Sequence, residues 1–80
     1  MPSESSIAMG IKQHELLLWV MSENGIKNYA HLSRSLGVAP PVISKHINGE
    51  LRIGDNMILR LHETFGVPVA RIRSALESAA

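Results

Sequence analysis

The sequence predicts an all-α fold of five short helices, and three observations support this prediction. The chain is 45% hydrophobic but only 4% aromatic, which fits a core of leucine, isoleucine and valine such as a small helical bundle builds. No stretch shows the period-two alternation of a half-buried strand. Glycines follow several apolar segments of helical spacing, and a glycine just past a helix end is a common stop signal. With 80 residues, we expect one domain.

A polar N-terminal segment is predicted to precede the first helix. Residues 1–10, MPSESSIAMG, are mostly small or polar and predict a flexible N-terminal segment. The folded domain is then expected over residues 11–80. Helix 1 should run from about Ile11 to Glu23 and stop at Asn24-Gly25, because glycine adopts the left-handed conformation without steric cost.

Capping signals define four further helices. Asn28 and Asp55 are suitable N-caps for helices 2 and 4. Pro68 suits the start of helix 5, because its missing N–H costs nothing in a first turn. The expected helices are 29–36, 40–48, 55–65 and 69 to about 78, and Gly37, Gly49 and Gly66 end the first three of them.

The apolar residues of helices 2 and 3 are spaced so that the two helices can share one small core. Leu32 and Leu36 lie four apart on helix 2, and Ile43 and Ile47 lie four apart on helix 3. Val38 falls in the intervening turn, where it can fill the space between them. This spacing predicts a helix-turn-helix.

The stretch YAHLSRSLGVAPPVISKHINGE is similar to the motif of the Cro-and-phage-repressor type (XRE-like) DNA-binding family. The matching residues are Ser33, Gly37, Leu32, Val38, Ile43 and the closing Asn48-Gly49. The segment LRIGDNMILRLHETFGVPVARI resembles the family's fourth helix and the start of its fifth, so the resemblance covers residues 27–76. It implies a five-helix bundle of the phage-repressor type, from a bacterial or phage source. Ala39 departs from the family, which often has a capping serine or threonine there, and His46 stands where many members have a large apolar residue.

Charge is unevenly distributed along the chain, although the net charge is only +1. Between Ile26 and Gly54, four basic residues face a single acidic one, whereas the remaining segments together are net acidic. This local excess is compatible with a polyanionic partner, and also with an ordinary solvated helical surface.

The predicted DNA-binding residues follow from the helix-turn-helix. Ile43 and Ile47 define the inward side of helix 3, so the opposite face is expected to enter a major groove. For His46 we expect packing beside Ile43 rather than a phosphate contact. The base-contacting residues are predicted to be Pro40, Pro41, Ser44 and Lys45, and the phosphate-contacting residues Lys27, Arg34, Asn48 and Arg52.

The two prolines have a second interpretation. They preset φ near −65° and have no N–H to leave unpaired, so they suit a structural helix start in place of the missing cap at Ala39. Their rings can touch a thymine methyl but cannot form hydrogen bonds to a base edge. Direct readout is therefore expected mainly from Ser44 and Lys45.

The sequence gives no sign of catalysis, a cofactor or a metal site. The four histidines fall on four different predicted helices without an HExxH spacing, and no nucleophile has a recognisable base beside it. We therefore expect no enzyme activity. The chain contains no cysteine, and the apolar run LLLWVM is too short to cross a bilayer, so no membrane association and a cytoplasmic location are expected.

Helix 1 carries more apolar residues than one face can bury. With Leu17, Leu18, Val20 and Met21 forming its apolar arc, Leu16 and Trp19 are hard to bury together, which makes these two residues candidates for a dimer interface. Alternatively, Trp19 packs over helix 5, whose apolar stripe is Val69, Ile72 and Leu76.

These observations together predict a sequence-specific transcriptional regulator. The expected partner is double-stranded DNA, bound as a homodimer on a two-fold operator, and the resemblance makes repression the usual outcome. Two alternatives remain open. One is an antitoxin or restriction-control regulator of the same fold, which has an additional protein partner or activates a promoter. The other is a helical protein-interaction module that does not bind DNA.

Overall fold

The computed structural model describes residues 4–77, with side chains from Ile7 onward, and these residues form five helices and no strand. The all-α class is confirmed. In chain order the helices are α1 Glu4–Asn24, α2 Tyr29–Leu36, α3 Pro40–Ile47, α4 Asp55–Phe65 and α5 Val69–Glu77. Residues 1–3 of the predicted N-terminal segment, and Ser78 at the predicted end of helix 5, lie outside the described residues.

The predicted start of helix 1 is wrong. Helix α1 begins at Glu4 rather than near Ile11, so residues 4–10 of the segment predicted to be flexible belong to the helix. Gly10 is buried in the helix interior, where a Cβ would lie 2.7 Å from the carbonyl oxygen of Ile47. This glycine therefore allows α1 to approach the end of α3 closely, instead of marking a break before the helix.

Most of the predicted helix ends are confirmed. The Asn28 side chain accepts a 2.8 Å hydrogen bond from the His31 amide and so caps α2. Gly37 ends that helix in the left-handed conformation, with φ 70°. The predicted cap of α4 is wrong, because Gly54 is the N-cap residue and Asp55 is already helical. The Asp55 carboxylate instead pairs with Arg73 across 3.2 Å.

The core receives at least one completely buried aliphatic side chain from each helix. Helix α1 packs against α3 and α5, α2 packs against α3 and α4, and α4 packs against α5. Burying a side chain of this size contributes about 1.5–3 kcal/mol. The completely buried aliphatic residues are Leu17 and Val20 of α1, Leu32 of α2, Ile43 of α3, Leu61 of α4 and Ile72 of α5. In the described part of the chain, no helix is long and apolar enough to cross a membrane.

The buried arc of α1 differs from the predicted one. Leu16 is 4% exposed and belongs to the core, whereas Leu18, assigned to the inward arc, is 46% exposed. Because α3 and α5 both pack on α1, its buried arc is wide enough to include Leu16. The expectation that Leu16 remains at the surface, available for a dimer interface, is therefore wrong.

Candidate nucleic-acid interface

Helix α3 has one buried and one exposed face. Ile43 is completely buried and His46 is 2% exposed, and both point into the domain. The opposite side presents no large apolar side chain. We call this side the α3 outer face; it consists of the exposed residues Pro40, Pro41, Ser44, Lys45 and Asn48. The helical period thus brings all four predicted base-contacting residues onto one exposed face, and their contact with DNA stays a prediction.

The two prolines replace the cap that α3 lacks. Ala39 at the N-cap position has extended backbone angles and makes no side-chain capping bond. Pro40 and Pro41 occupy the first helical positions and carry no amide hydrogen, so two donors that would otherwise need partners are absent. The next amide, that of Val42, donates to the Ala39 carbonyl at 2.9 Å. A phosphate at this end would have to be bound through side chains.

The loop after α3 folds back onto the last turn of the helix. The amides of Glu50 and Leu51 both donate to the Lys45 carbonyl, at 2.9 and 3.1 Å. Gly49 makes this return possible with φ 76°. Arg52 is the next residue in the chain after Leu51, and its side chain is exposed. The backbone therefore holds the predicted phosphate contact at Arg52 close to the C-terminal end of the α3 outer face.

Gln13 of α1 fixes the same loop from the inside. Its side chain is 1% exposed, and its Nε2 donates to the carbonyls of His46 at 2.6 Å and Leu51 at 3.0 Å. Its Oε1 accepts a 2.7 Å hydrogen bond from the Ile53 amide. The sequence analysis missed this residue. The available signal was the apolar residues three and four positions later, which lie on the same side of the helix as Gln13. A polar side chain buried there requires hydrogen-bond partners.

His46 is a packing residue, as expected, and its side chain is almost completely buried. Its Nδ1 lies 2.8 Å from the Leu51 carbonyl oxygen. Because a carbonyl only accepts, Nδ1 carries a proton and donates to it. Nε2 is buried and has no hydrogen-bond partner among the described residues. His46 therefore supports the α3–α4 loop and is not available to a phosphate.

The four cations of the basic middle segment are available to a ligand. All four are exposed, and within residues 4–77 their side chains make no hydrogen bond or ion pair with another residue. Lys27 precedes α2, Arg34 lies in the last turn of that helix, and Lys45 lies on the α3 outer face. Arg52, in the following loop, completes the set.

Three arginines of the later helices are engaged within the domain. Arg60 Nη1 donates to the Leu36 carbonyl at 2.9 Å, next to the turn that leads into α3. The Arg71 guanidinium carbon lies 4.4 Å from the centroid of the Trp19 ring. Arg73 forms the exposed pair with Asp55. Internal partners thus distinguish these three arginines from the cations of the middle segment.

Trp19 packs against α5, which was one of the two alternatives for it. Its ring is half-buried against the core and is covered by Arg71 of α5. The predicted apolar stripe of α5 also packs inward, with Ile72 completely buried and Val69 and Leu76 partly buried. A dimer-interface role for the exposed part of Trp19 stays a prediction.

No family model matches the chain, and no curated protein or solved structure matches it either. The likeness to Cro-and-phage-repressor proteins therefore depends only on the resemblance of residues 27–76.

Proposed function

We propose that this chain is a sequence-specific DNA-binding transcriptional regulator of the Cro-and-repressor (XRE-like) helix-turn-helix type, and that it acts as a repressor. The observation that carries the proposal is the contrast among the cations. Those on and beside α2 and α3 are exposed and unpaired within the described residues, whereas Arg60, Arg71 and Arg73 have internal partners. Exposed, unpaired cations around one exposed helix face are suited to a polyanion.

The dimensions and side chains of α3 suit a major groove. The helix has eight residues and spans about 12 Å, and a B-DNA major groove of about 12 Å width admits a helix. Lys45 can donate to the O6 and N7 acceptors of guanine, and the Ser44 hydroxyl can pair with several base edges. The rings of Pro40 and Pro41 offer apolar contact to a thymine methyl.

The remaining predicted residues contact the phosphate groups of the duplex backbone. Lys27 and Arg34 lie at the two ends of α2, and Asn48 and Arg52 follow α3, so the four residues flank the reading helix in sequence. Contacts to phosphate fix the register and orientation of a protein on DNA without reading sequence. Specificity is assigned to the four predicted base-contacting residues of the α3 outer face, and affinity mainly to these flanking residues.

A homodimer completes the proposal, because one short helix reads few base pairs. Two copies double both the base and the phosphate contacts. On a two-fold operator, the centres of the half-sites should lie about one helical turn apart, roughly 34 Å. We expect two chains per operator, and a stoichiometry of one chain per operator would exclude this arrangement.

A fluorescence titration tests the proposal directly. The preferred duplex is first selected from a random pool, and its affinity and that of a scrambled duplex are then measured at 50 and 200 mM salt. Neutralising about three phosphates per chain, through Lys27, Arg34 and Arg52, should weaken the binding of each chain roughly 40-fold between these concentrations. Lys45→Glu should reduce binding strongly, and the charge-matched control Arg73→Glu should reduce it much less. Absence of salt-sensitive binding would overturn the proposal and favour the protein-interaction module.

A further inference from the structure

Helix α1 exposes a row of large apolar side chains that no other described part of the chain covers. Ile7 is 49% exposed, Ile11 55% and Leu18 46%, with half-buried His14 between the last two. We call Ile7, Ile11, His14 and Leu18 the α1 stripe. Its spacing of four, three and four residues is the a/d spacing of a coiled coil, which aligns the side chains along one line of the helix.

Packing within the domain holds α1 on the side opposite the stripe, where Leu16 is buried. On one flank of the stripe, Gly10 contacts the end of α3, and the other flank, which includes Glu15, is exposed. Within the stripe, His14 Nε2 lies 2.8 Å from the Tyr29 hydroxyl at the start of α2. The stripe is therefore a solvent-facing apolar row on a helix that is held from its opposite side.

We propose that a second copy of this chain packs its α1 stripe antiparallel against the first, about a two-fold axis that passes between Ile11 and His14. The spacing of four, three and four is the same in both chain directions, so the stripe is complementary to itself. Ile7 then lies opposite Leu18 of the partner subunit, and Ile11 lies opposite His14 of the partner subunit. The antiparallel direction also opposes the two helix dipoles.

The composition of the stripe suits a second copy as its occupant, and its size sets the strength of the contact. The stripe carries no acidic, lysine or arginine side chain that would require a partner of opposite charge. Its apolar surface is on the order of 300 Å² per copy, whereas a standard specific interface buries about 800 Å² per partner. The dimer is therefore weak in free solution. It becomes populated when two half-sites bring two copies together, because the second contact is then intramolecular.

This inference rests on the proposed homodimer and supplies its surface. None of the stripe residues is among the predicted DNA contacts, so the two proposed surfaces share no residue. The predicted candidates Leu16 and Trp19 lie elsewhere on α1, one in the core and the other under Arg71. The structure thus assigns the dimer contact to a different arc of the same helix.

Disulfide trapping tests the arrangement cleanly, because the chain has no cysteine of its own. Ile7→Cys and Leu18→Cys are oxidised separately and as an equimolar mixture. The antiparallel arrangement predicts a cross-linked dimer in the mixture and little in either variant alone. Cross-linking of each variant with itself would indicate a parallel pair and overturn the proposal. Leu59→Cys, at a 51% exposed leucine of α4, measures the background from random collision.

Ultracentrifugation and DNA binding provide the second test. The unmodified chain should shift from monomer towards dimer near 0.1 mM, the order of magnitude expected for a small interface. Ile11→Asp should remain monomeric, and Leu59→Asp should behave like the unmodified chain. A chain that remains monomeric at 1 mM and yields no cross-link would overturn the proposal.

The same variants separate the failure of the dimer from the failure of DNA binding. Ile11→Asp should retain its affinity for a duplex with a single half-site and lose at least tenfold on a two-half-site operator. Equal affinity of Ile11→Asp and the unmodified chain on the two-half-site operator would contradict the stripe as the dimer contact. If no variant binds DNA while the cross-link still forms, the proposed function is wrong and the α1 contact stands.

Discussion

The Gln13 side chain of α1 accepts a 2.7 Å hydrogen bond from the backbone amide of Ile53, forty residues later in the chain. The Nε2 of the same Gln13 side chain donates to the carbonyls of His46 and Leu51. One buried side chain thus connects α1, the end of α3 and the loop that carries Arg52. Removing it leaves buried backbone groups without partners, which costs about 1–3 kcal/mol for each unsatisfied group.

Gln13→Leu, which keeps a similar volume but no polar atom, is expected to lower the free energy of unfolding by about 2–4 kcal/mol. Gln13→Glu should be at least as harmful, because a carboxylate cannot donate to the two carbonyls and would be buried near them. Urea denaturation measures both effects. Asn24→Ala is the control, since that amide makes one local bond, to the Val20 carbonyl, at the end of α1. A loss for Gln13→Leu no larger than for Asn24→Ala would contradict the role given to Gln13.

Gly10→Ala is expected to destabilise the domain, although alanine is the better helix former by about 1 kcal/mol. The added Cβ would lie 2.7 Å from the Ile47 carbonyl oxygen and 2.9 Å from the Gly49 nitrogen, both backbone atoms that cannot swing away. We expect a net loss of about 1–3 kcal/mol by thermal or urea unfolding. In Gly54→Ala, the new Cβ meets no atom within 4 Å, so this control should lose only the contribution of the glycine N-cap of α4, about 0.5–1 kcal/mol. A more stable Gly10→Ala would show that α1 and α3 are not in close contact at this point.

Gly37→Val is expected to impair folding and DNA binding together. Gly37 has φ 70°, a region that costs an ordinary L-residue about 1–2 kcal/mol and a β-branched one more. The nearest side-chain atom is Arg60 Nη1, 3.3 Å from the position of a Cβ, and its flexible side chain can move, so backbone strain dominates. Gly37→Asn should retain more stability, because asparagine tolerates the left-handed conformation. Thermal unfolding of both variants checks the order, and an unchanged Gly37→Val would contradict the assigned turn.

Lys45→Ala and Arg52→Ala should affect DNA binding in different ways. Lys45 lies on the α3 outer face, so its loss should weaken the preferred operator more than scrambled DNA, by about 1–3 kcal/mol of discrimination. Arg52, in the loop beyond, should weaken both duplexes similarly and flatten the slope of log affinity against log salt by about one unit. Binding isotherms on both duplexes at several salt concentrations distinguish the two.

The control for this pair is Arg73→Ala, which also removes one positive charge. The Arg73 side chain already pairs with Asp55, and exposed pairs of this kind contribute only about 0–1 kcal/mol to stability. Its loss should leave the salt slope nearly unchanged. If Lys45→Ala reduces binding equally on both duplexes, Lys45 contacts phosphate, and specificity must come from Ser44, the proline rings or DNA shape.

Local chemistry allowed the sequence to predict the helices around the candidate site. The Asn28 cap, the left-handed Gly37 and the proline start of α3 each depend on one residue and its nearest neighbours, and the structure has them as predicted. The two faces of α3 follow equally directly. Apart from the two prolines, the apolar residues of α3 are Val42, Ile43 and Ile47, and the helical period places all three on one side, which orients the helix.

Only the tertiary structure decided which side chains of α1 are buried. Its run of adjacent apolar residues supplies candidates on several sides of the helix, so periodicity cannot choose among them, and the positions of α3 and α5 buried Leu16 while leaving Leu18 exposed. Gly10 is a helix breaker by local propensity but a close contact in the packed domain. Local energies near 1 kcal/mol set these preferences, and packing between distant segments overrides them because burial and steric contact are worth as much or more.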